Sequence, residues 1–365
     1  MGTPSYESAG VRDQDDALSS VVRHLQPTLA LPRDARTLTR FGQYASVLEI
    51  SEDIAIAIST DGVGSKTIIA SRMDRYDTIG FDCVAMNVND VICVGATPIA
   101  MVDYLGVHTL DTARTDAILK GLAAAAAEAS IAIPGGELAQ LPEVIGSDGR
   151  TPGDEKAFDL VGTCVGVVHP AKLMLGGAVA PGDAIIGVAS SGIHSNGLTL
   201  ARKVLLDDAG YGLGDEVPQL NGTLGDELLR PTAIYVKAAR ALWDAGVDTR
   251  GLVHITSDGF TNLCRLDAPV GYRIDWLPEV PPIFALIRDQ GGVDDTEMFR
   301  VFNMGVGLVV IVPQEDAERS IGLIEQAGYT AWRLGVVDED AGTVTLEPAG
   351  LTGKLVDGAS RFSRS

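Results

Sequence analysis

The sequence is poor in the residues that usually mark a disulfide-bonded, zinc-binding or nucleic-acid-binding protein. Only four of its 365 residues are cysteines, and no two of them form a CxxC pair. Widely spaced cysteines predict buried thiols in a reducing compartment rather than a disulfide frame or a zinc site. The 28 basic residues are outnumbered by 49 acidic residues, which gives a formal net charge of −21. This excess argues against non-specific binding to nucleic acid and against docking on anionic membranes.

The sequence also shows no pattern typical of a membrane-spanning helix or a signal peptide. No run reaches the ~20 consecutive apolar residues that a spanning helix needs. Residues 1–14 lack the basic-then-apolar pattern of a signal peptide. We therefore expect a cytoplasmic protein whose partners include neither nucleic acid nor a membrane. Apolar residues make up 46% and aromatic residues only 5%, which predicts cores of Val, Ile, Leu and Ala.

Strands, small-residue loops and helices recur in two halves of the chain, and the length fits two or three domains. The pattern restarts near residue 170, so we predict an N-terminal domain over residues 1–170 and a C-terminal domain over residues 171–365. The predicted elements that matter below are a buried helix at 78–94, a short strand at 131–133 and a helix at 231–245. Residues 1–17 are expected to form a partly mobile arm, residues 143–157 a surface loop, and the polar tail after Leu351 a frayed end. The chain is thus predicted to be a two-domain α/β (α+β) protein.

The first glycine loop, residues 59–67, reads Ser-Thr-Asp-Gly-Val-Gly-Ser-Lys-Thr and follows an apolar run at 54–58 that predicts a strand. Its two glycines allow a sharp turn and close approach to a ligand. Asp61, Lys66 and the small hydroxyl residues supply what a metal–phosphate ligand needs, although the spacing is not that of a P-loop. The alternative is an ordinary polar turn with a surface lysine.

Four carboxylates lie in or beside apolar segments of the N-terminal half: Asp61, Asp90, Asp103 and Glu137. Carboxylates are rarely buried unless they are paired or bound to a metal. Oxygen ligands of this kind suit Mg²⁺ that holds phosphates. The alternative, which the sequence leaves open, is that each acid caps a helix or pairs locally.

The second glycine loop, residues 190–197, contains His194 among serines, an asparagine and two glycines. Such a loop offers backbone N–H groups and hydroxyls to an anion at the start of a helix. A neutral imidazole there could transfer a proton. Alternatively, His194 pins the loop by hydrogen bonds. His254, which precedes a third small-residue loop at 256–259, is predicted to be structural.

Ten motifs occur in order along almost the whole chain. They are Ser-Thr-Asp-Gly-Val-Gly-Ser-Lys (59–66), Asp-Thr-Ile-Gly-Phe-Asp-Cys-Val-Ala-Met-Asn-Val-Asn-Asp (77–90), Gly-Ala-Thr-Pro (95–98), Asp-Tyr (103–104), Gly-Gly-Glu (135–137), Phe-Asp-Leu-Val-Gly (158–162), Ser-Ser-Gly-Ile-His-Ser-Asn-Gly (190–197), Pro-Thr-Ala-Ile-Tyr-Val-Lys (231–237), His-Ile-Thr (254–256) and Met-Phe-Arg-Val-Phe-Asn-Met-Gly-Val-Gly (298–307). Together they resemble the phosphoribosylformylglycinamidine cyclo-ligase family, also called AIR synthetase. Ordered motifs over the whole chain are far more specific than any single one.

The resemblance implies an ATP-dependent ring closure in purine synthesis. Formylglycinamidine ribonucleotide and ATP would give aminoimidazole ribonucleotide, ADP and phosphate through an iminophosphate. It also implies an AIR-synthetase-like fold and a homodimer, in which the N-terminal sheets pair into a central barrel and the C-terminal α/β layered domains lie outside. The implied cofactors are ATP and Mg²⁺, and the implied partners are small-molecule nucleotide substrates.

The resemblance also carries roles over to individual residues. Those implied to be catalytic are Asp61, Lys66 and His194, and those implied to hold the metal are Asp61, Asp90, Asp103 and Glu137. Those implied to bind ATP or substrate are Asp61, Gly62, Gly64, Ser65, Lys66, Asn89, Asp90, Gly136, Glu137, Ser191, Gly192 and Asn196.

Two segments depart from the family pattern. Leu138 and Gln140 stand where the family usually has a threonine and a glutamate, and Ser257 and Asp258 stand where it has two glycines. Asp258 would repel a phosphate unless a cation intervened, and Ser-Asp-Gly is closer to the related thiamine monophosphate kinase. Two alternatives therefore remain open. One is a small-molecule kinase or other phosphoryl-transfer enzyme of the same superfamily, and the other is a non-catalytic nucleotide-binding paralogue.

Overall fold

Two β-sheets organise the fold, one in each predicted half. The structure is a computed structural model and describes residues 4–11, 15–146, 153–356 and 359–364. The strands of the N-terminal sheet are β1 (Arg36–Thr37), β2 (Ser46–Glu49), β3 (Ala55–Gly62), β4 (Thr97–Val107), β5 (Ala132–Gln140) and β6 (Phe158–Val168). They lie in the order β1-β2-β3-β6-β4-β5, with β4 and β5 parallel and the other neighbours antiparallel.

The helices of this half are α1 (Asp15–Leu25), α2 (Lys66–Met73), α3 (Ile79–Cys93) and α4 (Thr112–Ala129). Side chains alternate along β3 and β6, so one face of the sheet is buried and the other carries half-exposed residues. Helix α3 packs on the buried face. It also contacts β8 and α7 of the second half, and almost all its side chains are buried. The mostly apolar sequence of this helix follows from burial on several sides.

The C-terminal sheet has eight strands: β7 (Ala184–Ala189), β8 (Gly251–His254), β9 (Gly271–Ile274), β10 (Val306–Val312), β11 (Ala331–Asp338), β12 (Thr343–Leu346), β13 (Leu351–Val356) and β14 (Ala359–Arg364). Their order is β14-β13-β12-β9-β11-β7-β10-β8. The helices are α5 (Leu198–Arg202), α6 (Leu224–Leu228), α7 (Val236–Asp244), α8 (Pro282–Gly291), α9 (Asp295–Val301) and α10 (Ala317–Gln326). A π-helical segment, Lys203–Asp208, continues α5. The two-domain mixed α/β fold predicted from the sequence is confirmed.

Three local predictions are wrong. The strand predicted at 131–133 continues to Gln140 because the whole segment pairs with β4. The tail predicted to fray after Leu351 instead forms two strands at the edge of the sheet, over the described residues 351–356 and 359–364. The helix predicted at 231–245 begins only at Val236 because backbone groups of residues 232–235 are bound by side chains of α3. Of the predicted loop at 143–157, residues 147–152 lie outside the described residues, and Asp154–Lys156 forms a 3₁₀ turn.

Candidate active site

One row of residues crosses the N-terminal sheet beneath α3. Asp61 of β3 pairs with Gly162 of β6, which pairs with Asp103 of β4, which in turn pairs with Gly136 of β5. Directly paired residues point to the same face, so Asp61 and Asp103 both face α3. Gly162 is required between them, because a Cβ there would lie 2.7 Å from the Asn87 amide nitrogen. A side chain at Gly136 would likewise meet the Asp103 carboxylate, at 2.5 Å.

Glu137 lies on the face of the sheet that points away from α3. It pairs with Tyr104 in the next row, which also contains Val161 and Gly62, and neighbouring rows point to opposite faces of a sheet. Glu137 is exposed. Among the described residues, no group of three or more His, Cys, Asp and Glu side chains is arranged to hold a metal ion. The four acids predicted to share a metal site are therefore not assembled into one cluster within this chain.

Asn87 holds the backbone of Asp61, and the Asp61 carboxylate is buried near a second acid. Its backbone N–H donates to the Asn87 side-chain oxygen (3.0 Å), and its carbonyl accepts from the Asn87 amide (3.1 Å). Burial and the nearby Asp90 carboxylate raise the pKa of Asp61 to about 6, while the Gly62 N–H and His254 act in the opposite direction. Asp61 and the nearby Asp90 offer carboxylate oxygens, which are the donors that a hard divalent cation prefers.

Asp90, about three turns from the start of α3, is oriented by the fully buried His254. The Asp90 Oδ1 lies 2.9 Å from the His254 Nδ1. The His254 carbonyl accepts from the Tyr44 hydroxyl at 2.9 Å. The Asn89 amide donates to the Ala233 carbonyl (2.9 Å), and its oxygen accepts from the Tyr235 N–H (2.9 Å). Asn89, predicted to bind cofactor, therefore holds the segment before α7 in this structure.

The first glycine loop turns at Gly64, whose φ of 68° lies in the left-handed region. Ser65 Oγ lies 3.0 Å from Thr199 Oγ1, at the start of α5. Lys66 is fully buried, and its ammonium group pairs with Asp82 at 2.8 Å and donates to the Arg230 carbonyl at 2.5 Å. Burial lowers the pKa of Lys66, and the Asp82 carboxylate opposes that shift. Lys66 thus has an internal partner and is not the surface lysine of the alternative interpretation.

The second glycine loop is closed around His194, which is 2% exposed and has a φ of 65°. Its Nε2 accepts the backbone N–H of Ser191 at 3.1 Å, and that of Ala233 lies 3.5 Å away. Burial lowers the pKa of His194 well below its usual value, with His254 and Lys66 adding to the shift. A neutral ring that accepts backbone N–H groups favours a role in holding the loop. The prediction that His194 carries a proton stays a prediction.

The rest of this loop is fixed by its neighbours. The Asn303 amide donates to the carbonyls of Gly192 (2.9 Å) and Ile193 (3.2 Å), and the Ser191 hydroxyl donates to the Pro231 carbonyl (2.5 Å). The Ser257 hydroxyl donates to the Asn196 side-chain oxygen at 3.0 Å. Ser257, which replaces a family glycine, therefore binds the second glycine loop directly.

Asp258, the other replacement, adopts a φ of 75°. Its carboxylate lies 4.0 Å from the Arg265 guanidinium, which stacks over the Tyr44 ring. The Arg265 cation therefore lies near Asp258, the acid that was expected to repel a phosphate at this loop. The electrostatic objection to an anionic ligand at this loop is correspondingly smaller.

Two residues of the site region, Asp82 and Tyr6, were not identified from the sequence. Asp82 holds the two glycine loops, and an acid inside the apolar 78–94 helix was a signal that could have found it. His254, which was predicted to be structural, orients Asp90. Tyr6 was assigned to a mobile arm, yet its N–H donates to Glu297 at 2.6 Å. Burial raises the pKa of its hydroxyl, whereas Gly197 and Ser257 oppose that shift. Nothing in the sequence pattern pointed to Tyr6.

Both halves of the chain match family models. Residues 42–168 match the model described as "AIR synthase related protein, N-terminal domain", and residues 180–347 match the corresponding C-terminal domain. The chain belongs to the AIR synthase related family. A relative from Methanobrevibacter smithii, named phosphoribosylformylglycinamidine cyclo-ligase, is 48% identical over 317 residues, covering 86% of this chain and 89% of the relative. A relative of the same name from Methanothermobacter thermautotrophicus is 44% identical over 347 residues, covering 95% and 97%.

Solved structures share the fold of this AIR synthase related protein. A structure titled "AaThiL complexed with AMPPCP and TMP" superimposes with a TM-score of 0.59 at 14% identity, covering 92% of this chain and 94% of the other. The hydrogenase maturation protein HypE in complex with ATP gives a TM-score of 0.56 at 19% identity, covering 98% and 95%. At these identities the likeness concerns the fold. No helix in the described part of the chain is long and apolar enough to cross a membrane.

Proposed function

We propose that this AIR synthase related protein is a phosphoribosylformylglycinamidine cyclo-ligase that closes the imidazole ring of aminoimidazole ribonucleotide at the expense of ATP. The observation that carries the proposal is the 40–48% identity to relatives of that name over 86% or more of the chain. The region matched by the second relative covers 95% of this chain and therefore spans both domains and both glycine loops. An ATP site is supported by the first glycine loop, and the fold is that of proteins whose titles include bound ATP or AMPPCP.

Mg²⁺ suits the acids of the sheet and α3, because their donors are all carboxylate oxygens. Burial and the nearby Asp90 raise the pKa of Asp61, and a bound dication would favour its ionised form. Asp61 and Asp90 would hold the ion, and Asp103 faces the same side of the sheet. When bound, the ion neutralises phosphate charge. Glu137 would need to act from the opposite face, so we assign it the weakest role among the four acids.

The remaining residues act by positioning, which is the main contribution of a protein to phosphoryl transfer. The backbone N–H groups of residues 62–64 would contact nucleotide phosphates at the turn made by Gly64. The second glycine loop, held by His194 and Asn303, would contact the ribonucleotide through Ser191, Gly192 and Asn196. In this proposal Lys66 supports the first loop from inside the protein, since its ammonium group is occupied by Asp82 and Arg230.

A homodimer is proposed through the outer face of the N-terminal sheet. Half-exposed aliphatic side chains form that face, and Ile58 is 36% and Val102 is 46% exposed. Their neighbours across the strands are Val165 beside Ile58 and Thr163 beside Val102. A contiguous apolar sheet face of this kind marks an association surface. The cytoplasmic location remains a prediction that cell fractionation would test.

The direct test is incubation of the purified protein with Mg²⁺, ATP and formylglycinamidine ribonucleotide, followed by detection of aminoimidazole ribonucleotide. Ser257 and Asp258 favour a second candidate, a small-molecule kinase, so thiamine monophosphate is offered in a parallel reaction. Ring closure with the first substrate supports the cyclo-ligase. Phosphorylation of thiamine monophosphate without ring closure would replace it with the kinase, and neither product from a folded, nucleotide-binding sample would indicate a non-catalytic paralogue.

A further inference from the structure

One carboxylate oxygen joins the two glycine loops. Asp82 lies in the first turn of α3 and is fully buried. Its Oδ1 accepts from the Lys66 ammonium (2.8 Å), the Thr232 N–H (2.8 Å), the Thr232 hydroxyl (2.6 Å) and the Ser195 hydroxyl (3.2 Å). Lys66 belongs to the first glycine loop and Ser195 to the second, so both loops are bound to the same atom.

We propose that Asp82 is a positioning residue that couples the two glycine loops, so that nucleotide binding at the first loop orders the second. The inference rests on the proposed function in that nucleotide phosphates bind the first loop. It does not require that the second substrate be formylglycinamidine ribonucleotide. Asp82 itself is enclosed by protein and would act only through Lys66, Ser195 and Thr232.

Because the Lys66–Asp82 ion pair is buried, separating the two groups is costly. A buried charge that loses its partner is costly, because neither water nor another group replaces the lost interaction. The other oxygen of the carboxylate, Oδ2, has no hydrogen-bond partner among the described residues, so all four contacts converge on Oδ1. Any shift of Lys66 must therefore move Asp82 with it or break the ion pair. Moving Asp82 in turn displaces the hydroxyl groups of Ser195 and Thr232.

Two further hydrogen bonds connect the first glycine loop to the C-terminal half without passing through Asp82. Lys66 also donates to the carbonyl of Arg230, two residues before Thr232. Ser65, next to Lys66, lies 3.0 Å from Thr199, which follows the second glycine loop. The first loop thus contacts the C-terminal half directly, at Arg230 and Thr199, as well as through Asp82. Energetic coupling between sites requires such a contiguous element with defined alternatives.

The test is amide hydrogen exchange of peptides covering residues 190–197, with and without Mg²⁺ and AMPPCP at saturation. In the wild type, we expect the nucleotide to slow exchange in this segment by about fivefold or more, the lower range of allosteric coupling. Asp82→Asn should abolish the response. Because that variant leaves Lys66 unpaired and could unfold, Ser195→Ala provides a milder test that keeps the ion pair. Ser71→Ala, which removes a comparable hydrogen bond to Lys156 outside the network, is the matched control and should respond like the wild type.

The ratio of exchange rates with and without nucleotide is the informative quantity, since a uniform loss of stability would change both rates together. A wild type that binds AMPPCP without slower exchange at 190–197 overturns the inference, and so does a full response in Ser195→Ala. A normal exchange response in a protein that forms no aminoimidazole ribonucleotide overturns the proposed substrate and leaves the coupling standing. A wild type that fails to bind AMPPCP, as measured by calorimetry, overturns both.

Discussion

Replacing Asp61 by asparagine should stabilise the ligand-free protein and abolish its Mg²⁺-dependent turnover. Burial and Asp90 raise the pKa of Asp61 from 3.8 to about 6. Between these values the folded protein binds more protons than the unfolded chain, so the free energy of unfolding falls as the pH rises through this window. The contribution of the group is fully favourable below pH 3.8 and is lost above pH 6. A shift of this size corresponds to a penalty of about 3 kcal/mol at neutral pH.

Asparagine removes that penalty because it keeps the size of the side chain and can still accept the Gly62 N–H, which lies 2.7 Å from the carboxylate. Urea denaturation from pH 4 to pH 8 should show a gain in the variant that is small at pH 4 and reaches about 2–3 kcal/mol at pH 7.5. Mg²⁺ with AMPPCP should then stabilise the wild type and not the variant. Asp53→Asn is the control, because its side chain is 87% exposed.

A variant that is equally or less stable at pH 7.5 would refute the reasoning, since it would show that ionised Asp61 carries no net penalty from burial and from Asp90. A wild-type stability that does not fall between pH 4 and pH 6 more steeply than that of the variant would refute the assigned pKa. Retained turnover in Asp61→Asn would remove Asp61 from the proposed metal site even if the stability result held.

Three further perturbations test other parts of the structure. Lys66→Met leaves Asp82 buried without a cation and should lower the free energy of unfolding by about 3–5 kcal/mol, measured by urea denaturation; a loss below about 1 kcal/mol would contradict the buried pair. Ile58→Asp places a charge on the outer sheet face and should convert the proposed dimer to a monomer in sedimentation equilibrium, whereas an unchanged mass would exclude this face. His254→Leu removes the group that orients Asp90 and should weaken Mg²⁺–AMPPCP binding about 10–100-fold, and unchanged calorimetric affinity would limit His254 to packing.

Much of the fold could be predicted because local signals agreed with tertiary structure. The helix predicted at 78–94 is observed as α3, Ile79–Cys93, since a long apolar segment ends at Gly95 and Pro98. Residues 134–140 gave no strand signal because Gly135, Gly136 and the polar neighbours have low β-propensity. They form β5 only because β4 supplies a partner at the edge of the sheet.

The candidate site was less accessible to sequence reasoning for a topological reason. Sequence placed Asp103 and Glu137 beside strands, but it could not show that β4 and β5 pair in a register that sends these two acids to opposite faces. One position of register reverses the facing of every side chain in a strand. Lys66 was likewise seen as a ligand contact, because the partner that encloses it, Asp82, is supplied by a different helix. Motif spacing identifies the loops correctly, whereas the direction of a side chain depends on the packing of distant elements.

Helix α3 explains why these loops can be both polar and precisely placed. Successive polar side chains of this otherwise apolar helix bind different segments: Asp82 binds both glycine loops, Asn87 binds the backbone of Asp61, Asn89 binds the turn before α7, and Asp90 binds His254. Each polar group in such a helix must be satisfied or it destabilises the fold. The requirement works in both directions, because the loops supply the partners that α3 needs and α3 fixes the loops. The same buried contacts that stabilise the junction of the two domains therefore set the geometry of the proposed active site.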